Sequence, residues 1–491
     1  MTKLIKEIIL KNHLNNHNLT REIGLFSAII IVVANIIGTG IFTTSGFIME
    51  ELGSPQTMLL CWLVGGLFAL SGALCYGELG AMFPKAGGEY IFLRESYGKG
   101  MAFLSGWISL IVGFSAPIAA AAIAFATYLL RALPVSFSFK TAVSLGGIDI
   151  IIISPVTILA AAIIIILSLV HYHSLLLGTR IQNGLTIFKT TLICVFIIAG
   201  FCFGSGSAAN LSGELNLGSI FSDSFAVSLI YISFAYSGWN VVAYLGGEIK
   251  DPGRNIPLSL FAGTFLVLGL YLLLNMVYIY ALPVKEMSGV LEVGKTAAVS
   301  LFGNNISRYF AAAIAIGILS AVSAMIMTGP RVYYAMSKDG VFFKLFGKID
   351  SIHKTPAYSI FLQATLAIIM VVTSAFDKLL LYIGFTLAVF AMLTVAGMIA
   401  LRIKKPSLER RYKTFGYPFT PFFFILGNLW IIFFSIKEKP VVSLFGLGTI
   451  GLGGLIYLYF KKSGGTIHTG IHVGRNRMKI IAICREVIEK N

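Results

Sequence analysis

The sequence predicts an all-α integral membrane protein with twelve transmembrane helices, and three observations predict it. Of 491 residues, 57% are hydrophobic and only 12% are charged, with a mean hydropathy of +0.87; soluble domains carry about 25% charge. Apolar runs of about 20 residues recur along the chain, the length of helix that crosses a hydrocarbon core. Within these runs only Glu78 and Lys189 are formally charged. A water-soluble globule is excluded.

The elements follow in chain order. Residues 1–22 hold Lys3, Lys6, Lys11 and Arg21 with no apolar core leading to a cleavage site, and read as a retained cytosolic arm; Leu4, Ile5, Ile8 and Ile9 suit a short amphipathic turn on the inner surface. Residues 23–204 hold spans 1 to 5: 24–48, 57–82, 101–130, 151–170 and 181–204. Span 2 carries Glu78 near its inner end, with Arg94 and Lys99 expected within reach, so that an ion pair or helix cap is its first reading and an inner gate the alternative. Span 4 runs into His171 and His173, whose spacing gives weak support for a metal, and no metal site or cofactor is expected. Residues 221–401 hold spans 6 to 10: 224–246, 258–282, 309–329, 357–375 and 379–401. The turn-rich stretches 246–257 and 329–339 follow spans 6 and 8. Residues 418–460 hold spans 11 (418–436) and 12 (440–460), and 461–491 form a basic cytosolic tail in which Ile480, Ile481, Ile483, Val487 and Ile488 share an apolar face.

An even number of spans puts both termini on one side, and the basic residues say which. Of 37 Lys and Arg, 28 fall in the two termini and the even-numbered connections, against 8 in the odd-numbered ones. The richer side is the cytoplasmic one, that of a bacterial inner membrane. The net charge of +16 is therefore a topological signal, and with no basic motif interleaved with stacking aromatics it gives no case for nucleic acid. Five cysteines, Cys61, Cys75, Cys194, Cys202 and Cys484, show no metal-ligand spacing and no disulfide framework.

Two spans contain a segment that a lipid-facing helix avoids. Span 1 reads Ile36-Ile37-Gly38-Thr39-Gly40-Ile41 and span 6 reads Phe234-Ala235-Tyr236-Ser237-Gly238-Trp239-Asn240, both near mid-span and five spans apart. Interrupted spans at corresponding places in two halves point to an inverted-repeat transporter with its site at the bilayer midplane. A half-helix starting after Gly38-Thr39-Gly40 offers free N–H groups and a positive dipole end to an anion. The break in span 6 frees carbonyls for an ammonium group, and the pair describes a receptor for a zwitterion. Small-residue helix packing is the alternative for either motif alone. Lys189, read as lying about eight residues into span 5, either snorkels to the inner interface or stands as a cation against carbonyls of the span 1 break.

Gly38-Thr39-Gly40-Ile41-Phe42, Tyr76-Gly77-Glu78-Leu79 with Pro84-Lys85-Ala86-Gly87-Gly88-Glu89-Tyr90, and Phe234 through Asn240 resemble the amino acid–polyamine–organocation superfamily. Gly329-Pro330-Arg331-Val332-Tyr333-Tyr334-Ala335-Met336 and Gly416-Tyr417-Pro418 are similar to its L-type amino acid transporter branch. The resemblance covers roughly residues 20–460. It implies a LeuT-like fold, a 5+5 inverted repeat plus two extra helices. It implies that Gly38, Thr39 and Gly40, followed by Ile41, hold a substrate carboxylate, and that Ile36, Phe234, Ala235 and Ser237 surround the amine. Phe234 is the implied gate, Trp239 and Asn240 line the pocket, and Lys189 matches the lysine that replaces sodium in sodium-independent members. The connection 131–150 lacks the cysteine through which animal members join a partner glycoprotein, so no disulfide-linked heavy subunit is expected. Thr39 departs from the Ser or Ala common at that position.

The leading expectation is therefore a secondary carrier of neutral amino acids working by sodium-independent exchange, the neutral preference resting on the lack of acidic residues deep in the spans. Proton-coupled, cationic amino acid or polyamine symport is one alternative and a non-transporting amino acid sensor another. No nucleophile stands beside a base, which argues against an enzyme.

Overall fold

The computed structural model describes residues 19–133, 139–145, 148–212, 217–373, 376–438 and 440–462. Nearly all of the arm and tail, with the amphipathic faces and Cys484 read there, lies outside these residues. Span 1 is two helices, α1 (Leu25–Ile36) and α2 (Gly40–Leu52), inclined at 44°. Next come α3 (Pro55–Met82) and the short α4 (Glu89–Tyr97). Span 3 consists of α5 (Lys99–Ile108), a π-helical stretch Ser109–Ser115, and α6 (Ala116–Ala132). An antiparallel hairpin, β1 (Thr141–Leu145) with β2 (Ile148–Ile153), precedes α7 (Pro155–His173) and α8 (Leu175–Phe203). Span 6 is again divided, into α9 (Asp223–Ala235) and the short α10 (Val241–Tyr244). Then follow α11 (Pro252–Ala281), α12 (Val284–Met287), α13 (Val293–Phe302), α14 (Ser307–Thr328), α15 (Pro330–Lys338), α16 (Ala357–Thr373), α17 (Phe376–Lys404), α18 (Phe419–Glu438) and α19 (Pro440–Lys462).

This is a multi-pass, all-α membrane architecture. Among the described residues, eight helices are long and apolar enough to cross a bilayer, nine if α1 and α2 count as one bent span; α9, α16 and residues 443–459 are apolar but shorter. Helix starts follow local chemistry. Ser154 accepts from the Thr157 amide at 3.3 Å while its own amide donates to Thr157 Oγ1 at 2.8 Å. With Pro155 in the first turn, this capping box starts span 4 at 155. Residues 151–153, expected at its beginning, pair in the hairpin instead. Ser174 caps α8 through the Leu177 amide, so span 5 begins at Leu175, six residues earlier than the apolar run suggests. The π-helical stretch was not expected. Pro117 follows it and has no N–H for the Gly113 carbonyl, which favours a wider local turn.

The packing relates the two halves: span 2 lies along span 7, and span 3 along span 8, each pair five spans apart. On the face away from the basic loops, the connection between spans 7 and 8 covers α2. The Gly289 amide donates to Gly46 O at 3.0 Å, and a Cβ on Gly46 would fall 2.2 Å from Val290 O. On the basic face, residues 22–23 run beside 248–250. The Glu22 and Ile23 amides both donate to Glu248 O at 3.0 Å, and the Lys250 amide donates to Ile23 O at 2.9 Å. The Glu248 side chain, buried, is held by Arg331 through Nε at 2.8 Å and Nη2 at 2.7 Å. Arg94 pairs with Asp339, and Glu78 with Arg402, whose Nε lies 2.8 Å away, and with the Thr414 amide at 2.7 Å. The ion pair expected for Glu78 is present, but its partner comes from the end of span 10 rather than from Arg94 or Lys99.

Candidate functional site

The site begins with the two places where a helix stops inside the protein. α1 ends at Ile36, and α2 starts at Gly40, so the leading amides of α2 have no carbonyl of their own helix behind them. The freed carbonyls of α1 do have partners. Lys189 Nζ donates to Ala34 O at 3.1 Å and to Ile37 O, and the side chain is 2% exposed. Because α8 starts at Leu175, Lys189 lies about 21 Å along it at 1.5 Å per residue. That depth and those bonds rule out snorkelling to the surface.

The second break is made by Tyr236 through Asn240, with Gly238 at φ 93°. There a Cβ would meet Asn35 Nδ2 at 2.2 Å, so only glycine lets the chain pass the first span so closely. Asn35 Nδ2 donates to Gly238 O at 3.2 Å. The breaks also touch directly, for a Cβ on Gly40 would fall 2.7 Å from Ala235 Cα. One side chain ties them: the Tyr271 hydroxyl, from α11, lies 2.9 Å from Ile36 O and 3.1 Å from Ala235 O.

Beside this junction is a cavity of about 140 Å³. Ser237, Trp239 and Asn240 line it, together with Asn35, Phe114, Tyr236, Tyr244 and Phe424. Trp239 is wedged between Tyr76 and Phe424, with ring centroids 4.7 and 5.7 Å away. Ile36, Gly38, Thr39, Gly40, Ile41, Phe234 and Ala235 are not in its wall. Ile41 is fully buried, Phe234 is half-buried in the last turn of α9, and Gly40 sits flush on Ala235. The contact of the two breaks fills the space those residues would otherwise share.

The profile of the amino acid permease family matches residues 23–458. The chain belongs to this family. Among similar proteins of this permease, the "Large neutral amino acids transporter small subunit 2" of Mus musculus is 30% identical over 449 residues, covering 89% of this chain and 81% of that protein. The "b(0,+)-type amino acid transporter 1" of Mus musculus is 30% identical, covering 91% and 89%. The "Serine/threonine exchanger SteT" of Bacillus subtilis (strain 168) is 29% identical, covering 92% and 99%. The permease is accordingly a membrane transport protein and not an enzyme.

Two residues of this candidate site escaped the sequence. Tyr271 is one of 20 tyrosines, in a span where a tyrosine is compositionally ordinary. Glu89, at the start of α4, belongs by hydropathy to a cytoplasmic connection, yet it is 4% exposed and lines the cavity. Tyr76 Oη and Asn240 Nδ2 (3.1 Å) donate to its Oε1, and Tyr244 also hydrogen-bonds to the carboxyl. Burial pushes that carboxyl up to about 7, while hydrogen bonds from Tyr76, Tyr244 and Asn240 pull it down. The only available signal was the Gly87-Gly88 turn, which sets the start of α4 so that Glu89 meets Tyr76 of span 2: both glycines have positive φ, and the Gly87 amide donates to Tyr244 O at 3.0 Å.

Proposed function

We propose that the chain is a secondary carrier of zwitterionic amino acids, with neutral ones as its principal substrates, working by alternating access and sodium-independent exchange. The observation that carries the reading is Lys189 Nζ donating to Ala34 O and Ile37 O at the broken first span. A lysine tethered there, when protonated, takes the place of a coupling cation and needs no sodium to hold the frayed end of α1. In the open form, Gly38, Thr39, Gly40 and Ile41 offer amides to the carboxylate. Carbonyls of Ile36, Phe234, Ala235 and Ser237 face the amine, Phe234 gates, and Trp239 and Asn240 wall the side chain. For the contact of Gly40 with Ala235 to give way to a solute, the two broken helices must part, and that separation is the transport movement.

The same reading carries twelve spans, with 23–204 and 221–401 as inverted repeats and 418–460 added outside them, in a bacterial inner membrane with both termini cytoplasmic. Two of the animal relatives' names differ in kind: one is called a small subunit, the other is not. For this chain we propose function without a disulfide-linked heavy subunit, on the ground that 131–150 contains no cysteine.

The test is counterflow of labelled amino acids in proteoliposomes, with and without sodium and a pH gradient. Uptake driven by internal amino acid and indifferent to sodium is expected, as is a loss of at least about tenfold in Lys189→Ala. Binding without flux, or a strict sodium requirement, would defeat the proposal.

A further inference from the structure

We propose that Glu89 is a specificity-determining residue that fits the substrate cavity for amino acids with a positively charged side chain. This rests on the transport reading and widens its substrate class. Three acidic residues are buried among those described: Glu78, Glu89 and Glu248. Glu78 has Arg402 and Glu248 has Arg331. Glu89 is held only by neutral donors, Tyr76, Asn240 and Tyr244.

An ionised carboxylate offers about four acceptor positions. Three neutral donors leave room for another, and the remaining access is from the cavity, which Glu89 lines. Among the described lining residues, Glu89 is the one carboxylate, and neither lysine, arginine nor histidine accompanies it. A zwitterion brings no net charge to offset that carboxylate, whereas a solute with one extra ammonium does.

The rest of the wall suits the same cargo. Trp239, Phe424, Phe114 and Tyr244 present aromatic surface, which attracts a cation as well as covering its methylene stem. Asn240 links the two ends of the proposed solute. It stands three residues after Ser237, whose carbonyl is assigned to the amine, and its side chain rests on Glu89. From Ser237 to Asn240 the chain spans at most about 10 Å even if fully extended. A long side chain leaving the head-group region therefore ends at the carboxylate.

The experiment compares lysine with norleucine, an uncharged amino acid of similar reach, as competitors and as labelled substrates of the full chain in proteoliposomes. We expect lysine to compete with norleucine in wild type. In Glu89→Gln the ratio of lysine to norleucine uptake is expected to fall by about tenfold or more, the scale of one charge-assisted hydrogen bond, and Glu89→Asp to restore part of it. A ratio unchanged in Glu89→Gln overturns the assignment, including the case in which that variant loses only its response to a pH gradient and Glu89 is a proton carrier. If Glu89→Gln does not fold, wild type decides: lysine failing to displace norleucine overturns the inference, while norleucine exchange in the same vesicles leaves the transport reading standing. Absence of flux for every amino acid overturns both.

Discussion

Gly40→Ala tests the contact of the two breaks directly. The added methyl would sit 2.7 Å from Ala235 Cα and 2.9 Å from its Cβ, where ordinary contact begins at 3.4 Å. Restoring that contact requires α2 and α9 to separate by about 0.7 Å, and both atoms in the way are fixed to backbone. Overpacking of this kind costs typically ~1–3 kcal/mol. Because the penalty falls on the conformation in which the breaks touch, the balance between this conformation and its alternatives should shift by roughly 5- to 150-fold. The assays are the melting temperature of the purified protein and its half-saturation for one substrate on each side of the vesicle; the expected result is a lower melting temperature with the two half-saturations moved unequally. Gly184→Ala is the control, since nothing lies within 4 Å of its added methyl and the helix gains propensity. If Gly40→Ala matches wild type in melting and on both sides of the membrane, the breaks do not touch and the transport movement inferred from them is wrong.

Other outcomes follow from the same geometry. Arg331→Met leaves Glu248 buried without its cation and should cost ~3–5 kcal/mol in unfolding; adding Glu248→Gln should recover most of it, and a double variant no better than the single would disprove the pairing. Tyr271→Phe removes the hydroxyl shared by Ile36 O, which keeps the Gly38 amide at 2.8 Å, and Ala235 O, at roughly 1–3 kcal/mol for a buried carbonyl that loses its donor, and should slow exchange without abolishing substrate binding; unaltered exchange rates would count against the bridge. For Glu89 the sign is fixed by its raised carboxyl. The folded protein holds the proton more tightly than the unfolded chain, so this group's contribution is most favourable below the ordinary value of 4.5 and declines as pH rises to about 7. The anion needed for a cationic side chain is present above that point, so lysine uptake relative to norleucine should rise between about pH 6 and about pH 8, and a flat ratio would contradict it.

Much of this was legible in the sequence because lipid forbids so much. A glycine-rich interruption in an apolar span exposes backbone polar groups, so Gly38-Thr39-Gly40 and Ser237-Gly238 announced the breaks, and a lone lysine announced Lys189. Its depth was misjudged because Gly178, Thr179, Arg180 and Gln182 lower the hydropathy of the first turns of α8, although Ser174 starts the helix. Glu89 was hidden by the opposite error. Hydropathy assigns residues to water or lipid along the chain, and a short helix packed against span 10 with its first residue buried belongs to neither. The partner of Glu78 lies 324 residues away, and no local pattern marks such a pairing. Tyr271 likewise acquires its significance only when the breaks in spans 1 and 6 have been brought to it.

The strip where residues 22–23 run beside 248–250 is made of main-chain atoms, three N–H groups and two carbonyls. Replacing one side chain by another leaves such a zipper intact; proline at 23 would delete a tooth. The exposed side chains beside this seam, Arg21 and Lys250, can therefore change in charge or bulk while its closure persists, because what holds there is the path of the polypeptide and not the alphabet written along it.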